Sequence, residues 1–342
     1  MKIVDIETKI VSLELKTPFK TALRTATHVE FVRVKAACED GSFAYGEAPA
    51  TKAVTGEGIE EILAGISHAK DGLLFHMPKE AIDILHGMGG IGSSAKAALD
   101  MAFIRLDAIQ SGRTLEEYFG ITDKSAIQSA ITISYNGVDE MLRDAALACE
   151  DGMSILKLKV GGDISHAISI TTRVLEEFSH AKILVDANQA WGLEESLYFC
   201  KAMQDSAIEL IEQPVKANEI SALKEIKEVS NIPILADESV FTLEDVKRVV
   251  ESGSADMINI KLMKCGGVTK AIEILEYARA EGVKCMLGSM LEGPHSINAA
   301  LYLAFAYRDV IGYIDLDSPM LLKELPNELE FTYRGSWIEP RF

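Results

Sequence analysis

The stretch Ser154-Ile155-Leu156-Lys157-Leu158-Lys159-Val160 alternates apolar and charged residues and reads as a β-strand with two lysines on one face. If Leu156, Leu158 and Val160 face covering helices, Lys157 and Lys159 project together into whatever the sheet encloses. Each ammonium group then raises the cost of charging the other, which predicts a lysine pKa pushed down toward the range of a general base. Taken alone, the stretch is more simply an edge strand whose lysines face water and discourage edge-to-edge pairing.

Spacing reverses that preference. Short apolar runs ending in a polar residue recur at Ile183–Asp186, Glu209–Glu212, Ile234–Asp237, Met257–Lys261, Lys284–Gly288 and Tyr313–Asp317. From Lys159 the stations fall at 186, 212, 237, 261, 288 and 315, at intervals of 27, 26, 25, 24, 27 and 27 residues. One further step back reaches Thr132 in the run Ala130–Tyr135. Eight strand-plus-helix units of this length predict an α/β fold, a (β/α)8 barrel, whose chemistry lies at the C-terminal strand ends where these polar residues fall.

A chain of 342 residues exceeds one barrel of about 250 residues, so a smaller second domain is expected. Residues 2–15 read as a strand, Glu30–Cys38 and Ser42–Glu47 as a hairpin around Asp40-Gly41, and 57–69, 79–87 and 92–111 as helices. Thr17–His28, with Phe19 and Arg24, reads as a polar loop. The expected division is an α+β capping domain at 1–118, the barrel at 119–317, and a segment at 318–342 that returns to the capping domain. Helical patterns at 138–150, 163–179, 193–204, 217–229, 242–252, 267–281 and 294–307 fill the intervals between stations.

The composition is 48% hydrophobic and 25% charged, and no apolar run approaches the 18 or so residues of a membrane span. A net charge of −18 argues against nucleic-acid and anionic-membrane partners, although lysines and a metal still permit an anionic substrate. Cysteines 38, 149, 200, 265 and 285 form no CxxC pair, and the charged N-terminus lacks a signal-peptide core, so a reduced, cytoplasmic protein is expected. Homo-oligomerisation is left open.

Asp186, Glu212 and Asp237 end three successive strands. Each could cap its following helix, but three adjacent carboxylates repel one another without a cation, which points to a hard divalent ion such as Mg²⁺. Asn188 and Glu238 stand close behind two of these ligands. Lys159 precedes the triad and Lys261 follows it, so the lysines face each other across the mouth. A carbon acid held there would show one face of its α-carbon to each: one lysine removes the proton, the metal stabilises the enediolate, and the other lysine returns a proton. A salt-bridging Lys261 is the plainer alternative. Asp315 and Asp317 read either as a receptor for a substrate cation or as turn caps before Pro319.

The runs Lys157-Leu158-Lys159, Asp186-Ala187-Asn188, Glu212-Gln213-Pro214, Ala236–Ser239 and Asn259–Gly267, with Gly46–Pro49 and Ser93–Ala102, resemble the enolase superfamily and its muconate-lactonizing subgroup over nearly the whole chain. Within it, the aspartate pair at strand eight resembles the dipeptide epimerases, where it receives the α-ammonium. Pro18–Thr25 resembles the capping loop of the L-Ala-D/L-Glu enzymes, which implies that Arg24 meets an acidic side chain. Further candidate substrate contacts are Lys157, Thr132 and Ser134, and, after the seventh station, Met290 and Glu292. Gly293-Pro294-His295-Ser296 departs from the Thr-Lys-Leu-Gly type of run found there in that group.

The resemblance implies a Mg²⁺-dependent dipeptide epimerase, an isomerase acting at the α-carbon of the C-terminal residue, with a role in peptide metabolism or cell-wall peptide recycling. An N-acylamino-acid racemase or muconate-type cycloisomerase is the rival enzyme reading, though neither has an evident need for Asp315 and Asp317. A metal-dependent small-molecule binding protein on a dead barrel is the non-enzyme rival, and two facing lysines speak against it.

Overall fold

A computed structural model of the chain describes residues 1–20 and 25–342. The chain opens with an antiparallel sheet of β1 (Ile3–Lys20), β2 (Thr25–Cys38) and β3 (Phe43–Pro49), followed by α1 (Lys52–Thr55), α2 (Ile59–Leu73), α3 (Pro78–Gly87), α4 (Ser93–Gln110) and α5 (Leu115–Tyr118). Helix α4 is alanine-rich and buried on nearly every side, as a helix sandwiched between layers must be. It lies so close to β3 that a Cβ at Gly46 would stand 1.9 Å from the Ala98 carbonyl oxygen, so only glycine fits there.

Of the run 17–28, expected as a loop, residues 17–20 and 25–28 instead lie in the first two strands. After a register shift between Glu14 and Phe19, Phe19 pairs with Ala26 and Lys20 with Thr25. The irregularity breaks the alternation that would have marked the extension as a strand. Arg24 lies outside the described residues.

After β4 (Ile127–Gln128) come the barrel units: β5 (Ile131–Ile133), α6 (Val138–Glu150), β6 (Ile155–Lys159), α7 (Ile164–Glu177), β7 (Lys182–Asp186), α8 (Leu193–Ala202), β8 (Ile208–Glu212), α9 (Ile220–Val229), β9 (Ile234–Ala236), α10 (Leu243–Glu251), β10 (Met257–Ile260), the single-turn α11 (Leu262–Cys265), α12 (Val268–Glu281), β11 (Lys284–Gly288), α13 (Pro294–Ala306) and β12 (Ile311–Asp315). The eight strands form one parallel sheet in chain order. Its ends meet where the Ala130 N–H donates to the Ile314 carbonyl at 2.8 Å. This is the expected (β/α)8 architecture with a separate α+β cap. Among the described residues, no helix is long and apolar enough to cross a membrane.

The barrel interior explains how the strands aim their polar ends. Ala130, Ile155, Leu184, Leu210, Leu235, Met257 and Met286, with Tyr313 against them, form one inner apolar cluster. Because side chains on one strand face recur every second residue, the next inward positions are Thr132, Lys157, Asp186, Glu212, Asp237, Asn259, Gly288 and Asp315. A second step on two strands gives Lys159 and Lys261. Burying a side chain such as Leu184 or Leu210 contributes about 1.5–3 kcal/mol, so the layer that sets the register also holds the barrel shut.

Beyond α14 (Ser318–Leu321), the chain ends in β13 (Phe331–Arg334) and β14 (Trp337–Pro340). This segment, expected on the cap, makes contacts both there and at the barrel entrance. Leu322 bridges Leu15 and Glu330 pairs with Arg105 at 2.7 Å, both in the cap, whereas β14 pairs with β4 through Trp337–Gln128 and Ile338–Ile127. The physical reason is that β4 enters the barrel with an unpaired edge that needs a partner.

Candidate active site

The C-terminal strand ends and the cap enclose a cavity of about 630 Å³ of empty space. Lys159, Lys261, Asp237, Thr132, Met290, Asp315 and Asp317 line it, together with Asn188, Glu238, Ser289 and Leu291 from barrel loops. The cap adds Phe19, Ala53 and Val54. Asp186, Glu212 and Lys157 lie fully buried at its base.

The lysines and carboxylates beneath the cavity interlock. Lys157 Nζ stands 2.7 Å from Asp315 Oδ2, 2.7 Å from Glu212 Oε2 and 3.2 Å from Asp186 Oδ2. Lys159 Nζ donates to Asp186 Oδ2 at 2.5 Å, and Lys261 Nζ to Asp237 Oδ2 at 2.6 Å. The expected depression of a lysine pKa by its like-charged neighbour is therefore not what the site shows. Burial disfavours the Lys157 ammonium, but Asp315, Glu212 and Asp186 outweigh it and hold its pKa well above the ordinary value. The same contest, won by Asp237, raises Lys261. The strand alternation places the two ammonium groups correctly, but the carboxylates around them come from other strands, from the neighbouring β7 for Asp186 to β12 for Asp315.

Excess negative charge is visible in the acids. Burial, and then the Asp186 carboxylate, push Glu212 up to about 6. Glu238 is pushed up to about 7 by burial and then by Asp237 and Asp186. Glu238 Oε2, Asn188 Oδ1 and Asp315 Oδ1 are buried oxygens that accept no hydrogen bond among the described residues, and Glu212 Oε2 meets the Lys157 ammonium without one. Among the described residues no three acids or imidazoles converge as a finished metal cage, because ammonium groups contact the same oxygens. In donor chemistry, Asp186, Glu212 and Asp237 fit a hard divalent cation: they are buried carboxylates at the ends of adjacent strands, crowded enough that Asp186 and Asp237 both push Glu212 up, while the lysines hold those two aspartates below their ordinary range.

Backbone strain supports the triad. Asn188 and Gln213, just after Asp186 and Glu212, take positive φ values of 44° and 37° without being glycine. The Gln213 side-chain oxygen Oε1 accepts the Asp237 N–H at 2.9 Å and the Ser239 N–H at 3.1 Å, fixing the third carboxylate from the second one's loop.

Several expected substrate contacts are placed otherwise. Ser134 does not line the cavity; its hydroxyl accepts the Lys20 N–H at 3.3 Å and helps dock the hairpin. Glu292 is buried and turned inward, accepting from the Met290 N–H at 2.8 Å and from the Ser296 hydroxyl, so it braces the loop that carries Met290. His295, in the run that departs from the resemblance, stacks on Tyr45 outside this cavity. Asp317 is not on strand eight, which ends at Asp315, but in the turn that starts α14. Its Oδ2 accepts the Thr132 N–H at 2.7 Å, and burial followed by Asp315 pushes it up to about 6.

Lys264 is a residue whose role the strand pattern does not reveal. Buried in α11, it donates to the Asp237 carbonyl at 2.5 Å, Asp237 Oδ1 at 2.6 Å and the Asn259 carbonyl at 2.9 Å. Its only signal was a second lysine one helical turn beyond Lys261.

Comparison with known proteins agrees with this geometry. Residues 140–341 match the family described as enolase C-terminal domain-like. The L-amino acid-D/L-Glu epimerase of Sulfurimonas denitrificans is 58% identical over 340 residues, covering 99% of this chain and all of that protein. The substrate-liganded L-Ala-D/L-Glu epimerase of Bacillus subtilis superposes with a TM-score of 0.93 at 37% identity, covering 99% of this chain and 96% of that one. The dipeptide epimerase of Enterococcus faecalis, complexed with Mg and L-Leu-L-Tyr, gives 0.92 at 30% identity, with 99% and 97% covered. With the match to the family running from the first barrel helix to the end of the barrel and beyond, and relatives spanning the cap as well, this chain belongs to the enolase superfamily, among its dipeptide epimerases.

Proposed function

We propose that this chain inverts the α-carbon of the C-terminal residue of a dipeptide by proton removal on one face and return on the other, with Mg²⁺ as its cofactor. The observation that carries the reading is that Lys159 and Lys261 open into one cavity from strands on either side of the three that carry Asp186, Glu212 and Asp237. A substrate α-carbon between them offers one face to each ammonium or amine.

Asp186, Glu212 and Asp237 would hold the cation, which when bound supplies positive charge to the substrate's α-carboxylate and frees the lysines from these oxygens. A neutral lysine then takes the α-proton while the opposite, charged lysine delivers one, and the two exchange roles in the reverse reaction. Lys157, fixed between Asp315 and Glu212, contributes a positive charge beneath the carboxylate without reaching the cavity. Asp315, with its buried Oδ1 free of hydrogen bonds, faces the substrate's ammonium, and Asp317 adds a second carboxylate beside it. Phe19, Ala53, Val54, Met290 and Leu291 exclude water around the side chains.

L-Ala-L-Glu and L-Ala-D-Glu are the first pair to try, on the resemblance of the sequence run Pro18–Thr25 and the names of the relatives. Recycling of cell-wall peptides is the metabolic setting this would suit. A dipeptide library incubated in D₂O with Mg²⁺ and weighed by mass spectrometry tests the proposal. Incorporation of one deuterium at the C-terminal residue's α-carbon is expected with free dipeptides. Exchange equally fast with N-acetyl amino acids would instead make an acylamino-acid racemase the better description.

A further inference from the structure

The two lysines are held by different kinds of structure. Lys159 lies within β6, paired on one side with β5 and on the other with β7, where it stands opposite Asp186. Lys261 is one residue beyond β10 and serves as the N-cap of α11, a helix of a single turn. One turn cannot hold itself, because nucleation fixes several residues for each hydrogen bond gained. The Lys261 carbonyl accepts from the N–H groups of Lys264 and Cys265 at 3.0 and 3.2 Å, and the turn ends at Gly266 and Gly267, both at positive φ.

What pins the far end of this turn comes from the cap. Asp100 of α4, fully buried, accepts the Thr269 hydroxyl at 2.6 Å and the Thr269 N–H at 3.1 Å, gripping the first turn of α12. His86 of α3 meets the same carboxylate at 2.9 Å and fixes its orientation. The carboxylate is packed so closely on Gly267 that a Cβ there would lie 2.5 Å from Asp100 Oδ2. The residues that carry Lys261 are thus clamped between a barrel strand and a cap carboxylate, and among the described residues no corresponding clamp touches Lys159.

Resting on the two-lysine reading above, we propose that Asp100, oriented by His86, is a positioning residue for Lys261 and not for Lys159, so that the cap governs one face of the proton transfer. A misplacement of about 1 Å costs a reacting group roughly a hundredfold, so loosening the clamp acts on one half-reaction.

The experiment follows α-deuterium uptake from D₂O, with Mg²⁺ present, starting separately from each epimer. Lys159→Ala and Lys261→Ala first identify which epimer each lysine serves. Asp100→Asn is then expected to slow exchange of the Lys261-served epimer by roughly tenfold or more, while the other changes by less than about twofold. Thr269→Val, which removes one hydroxyl and leaves the Asp100–His86 pair in place, should do the same more weakly and serves if the Asp100 variant does not fold. Backbone amide exchange should rise over residues 259–271 in both variants and not over 155–160. Equal slowing of both epimers would overturn the inference, since it would place the effect at the shared Asp237 that Lys264 holds. Unchanged exchange in both variants would overturn it as well. If the two lysine variants lose exchange of the same epimer, the two-lysine reading itself fails and takes this inference with it.

Discussion

The Asp317 carboxylate accepts the Thr132 backbone N–H at 2.7 Å, so an acid that follows the last barrel strand fastens that strand to the first. Charge and fastening are separable by substitution. Asp317→Asn keeps a carbonyl oxygen for the Thr132 N–H and should leave the melting temperature nearly unchanged while lowering kcat/KM for free dipeptides. Asp317→Ala leaves a buried N–H without an acceptor and should also cost about 1–3 kcal/mol of stability. Thermal melts and kinetics on both variants check this; an Asn variant with normal kcat/KM would leave Asp317 a purely structural residue.

Recognition of a free amine predicts a penalty for N-acetylated dipeptides. Lys157 holds Asp315 Oδ2, but removing the substrate ammonium leaves Asp315 Oδ1 and the Asp317 carboxylate beside it without their cation, and losing one partner of a buried charge pair costs about 2–5 kcal/mol. The ratio of kcat/KM for Ala-Glu and N-acetyl-Ala-Glu measures it, and Asp315→Asn should shrink the ratio.

Asn or Gln in place of Asp186, Glu212 or Asp237 should weaken Mg²⁺ binding and turnover together. Titration calorimetry with Mg²⁺ and activity in EDTA provide the two readouts. Full turnover in EDTA would remove the metal from the reaction.

Arg24, outside the described residues, is the proposed partner of an acidic side chain. Arg24→Ala should reduce turnover of Ala-Glu more than that of Ala-Ala or Ala-Phe, since a guanidinium offers paired donors to a carboxylate. Unchanged ratios among the three dipeptides would point to an apolar or cationic preference.

His295 carries a pH dependence of stability away from the cavity. Burial, and then Arg33 and Arg105, lower its pKa from 6.5 to about 4. The unfolded chain therefore takes up a proton before the folded one does, and this contribution to stability is full above pH 6.5 and lost as the pH falls through 4. His295→Phe preserves the stack on Tyr45 and should flatten the melting temperature between those pH values. An equally steep loss in the variant would assign the acid sensitivity to another group.

The barrel was legible because its alternation and spacing are local and regular. Lys284–Gly288 spans strand seven as read, and Asp186 and Glu212 end their strands where the stations put them. What escaped depends on contacts between distant residues. The hairpin extension that brings Phe19 to the cavity is hidden behind a register shift, and Ala53 and Val54 arrive on a four-residue helix too short to show a period. The raised pKa of Lys157 comes from Asp315, 158 residues away, which no strand pattern announces. Ser134 and Glu292 stand at the barrel's reactive end, but neighbours turn their side chains to the framework.

The pairing of β14 with β4 sets a condition on how the protein is made. Trp337 and Ile338 complete a sheet with Gln128 and Ile127, and the Ser336 carbonyl accepts the Ser129 N–H at 2.8 Å, just before the first barrel strand. These partners are separated by the whole barrel, and a nascent chain emerges at roughly 5–20 residues per second. The entrance to the first strand therefore waits, with its edge unpaired, until residues 336–338 have left the ribosome. A shortened or tethered C-terminus would leave that edge free to pair with another chain, so aggregation during synthesis, rather than loss of catalysis, is the failure to look for in terminal fusions and truncations.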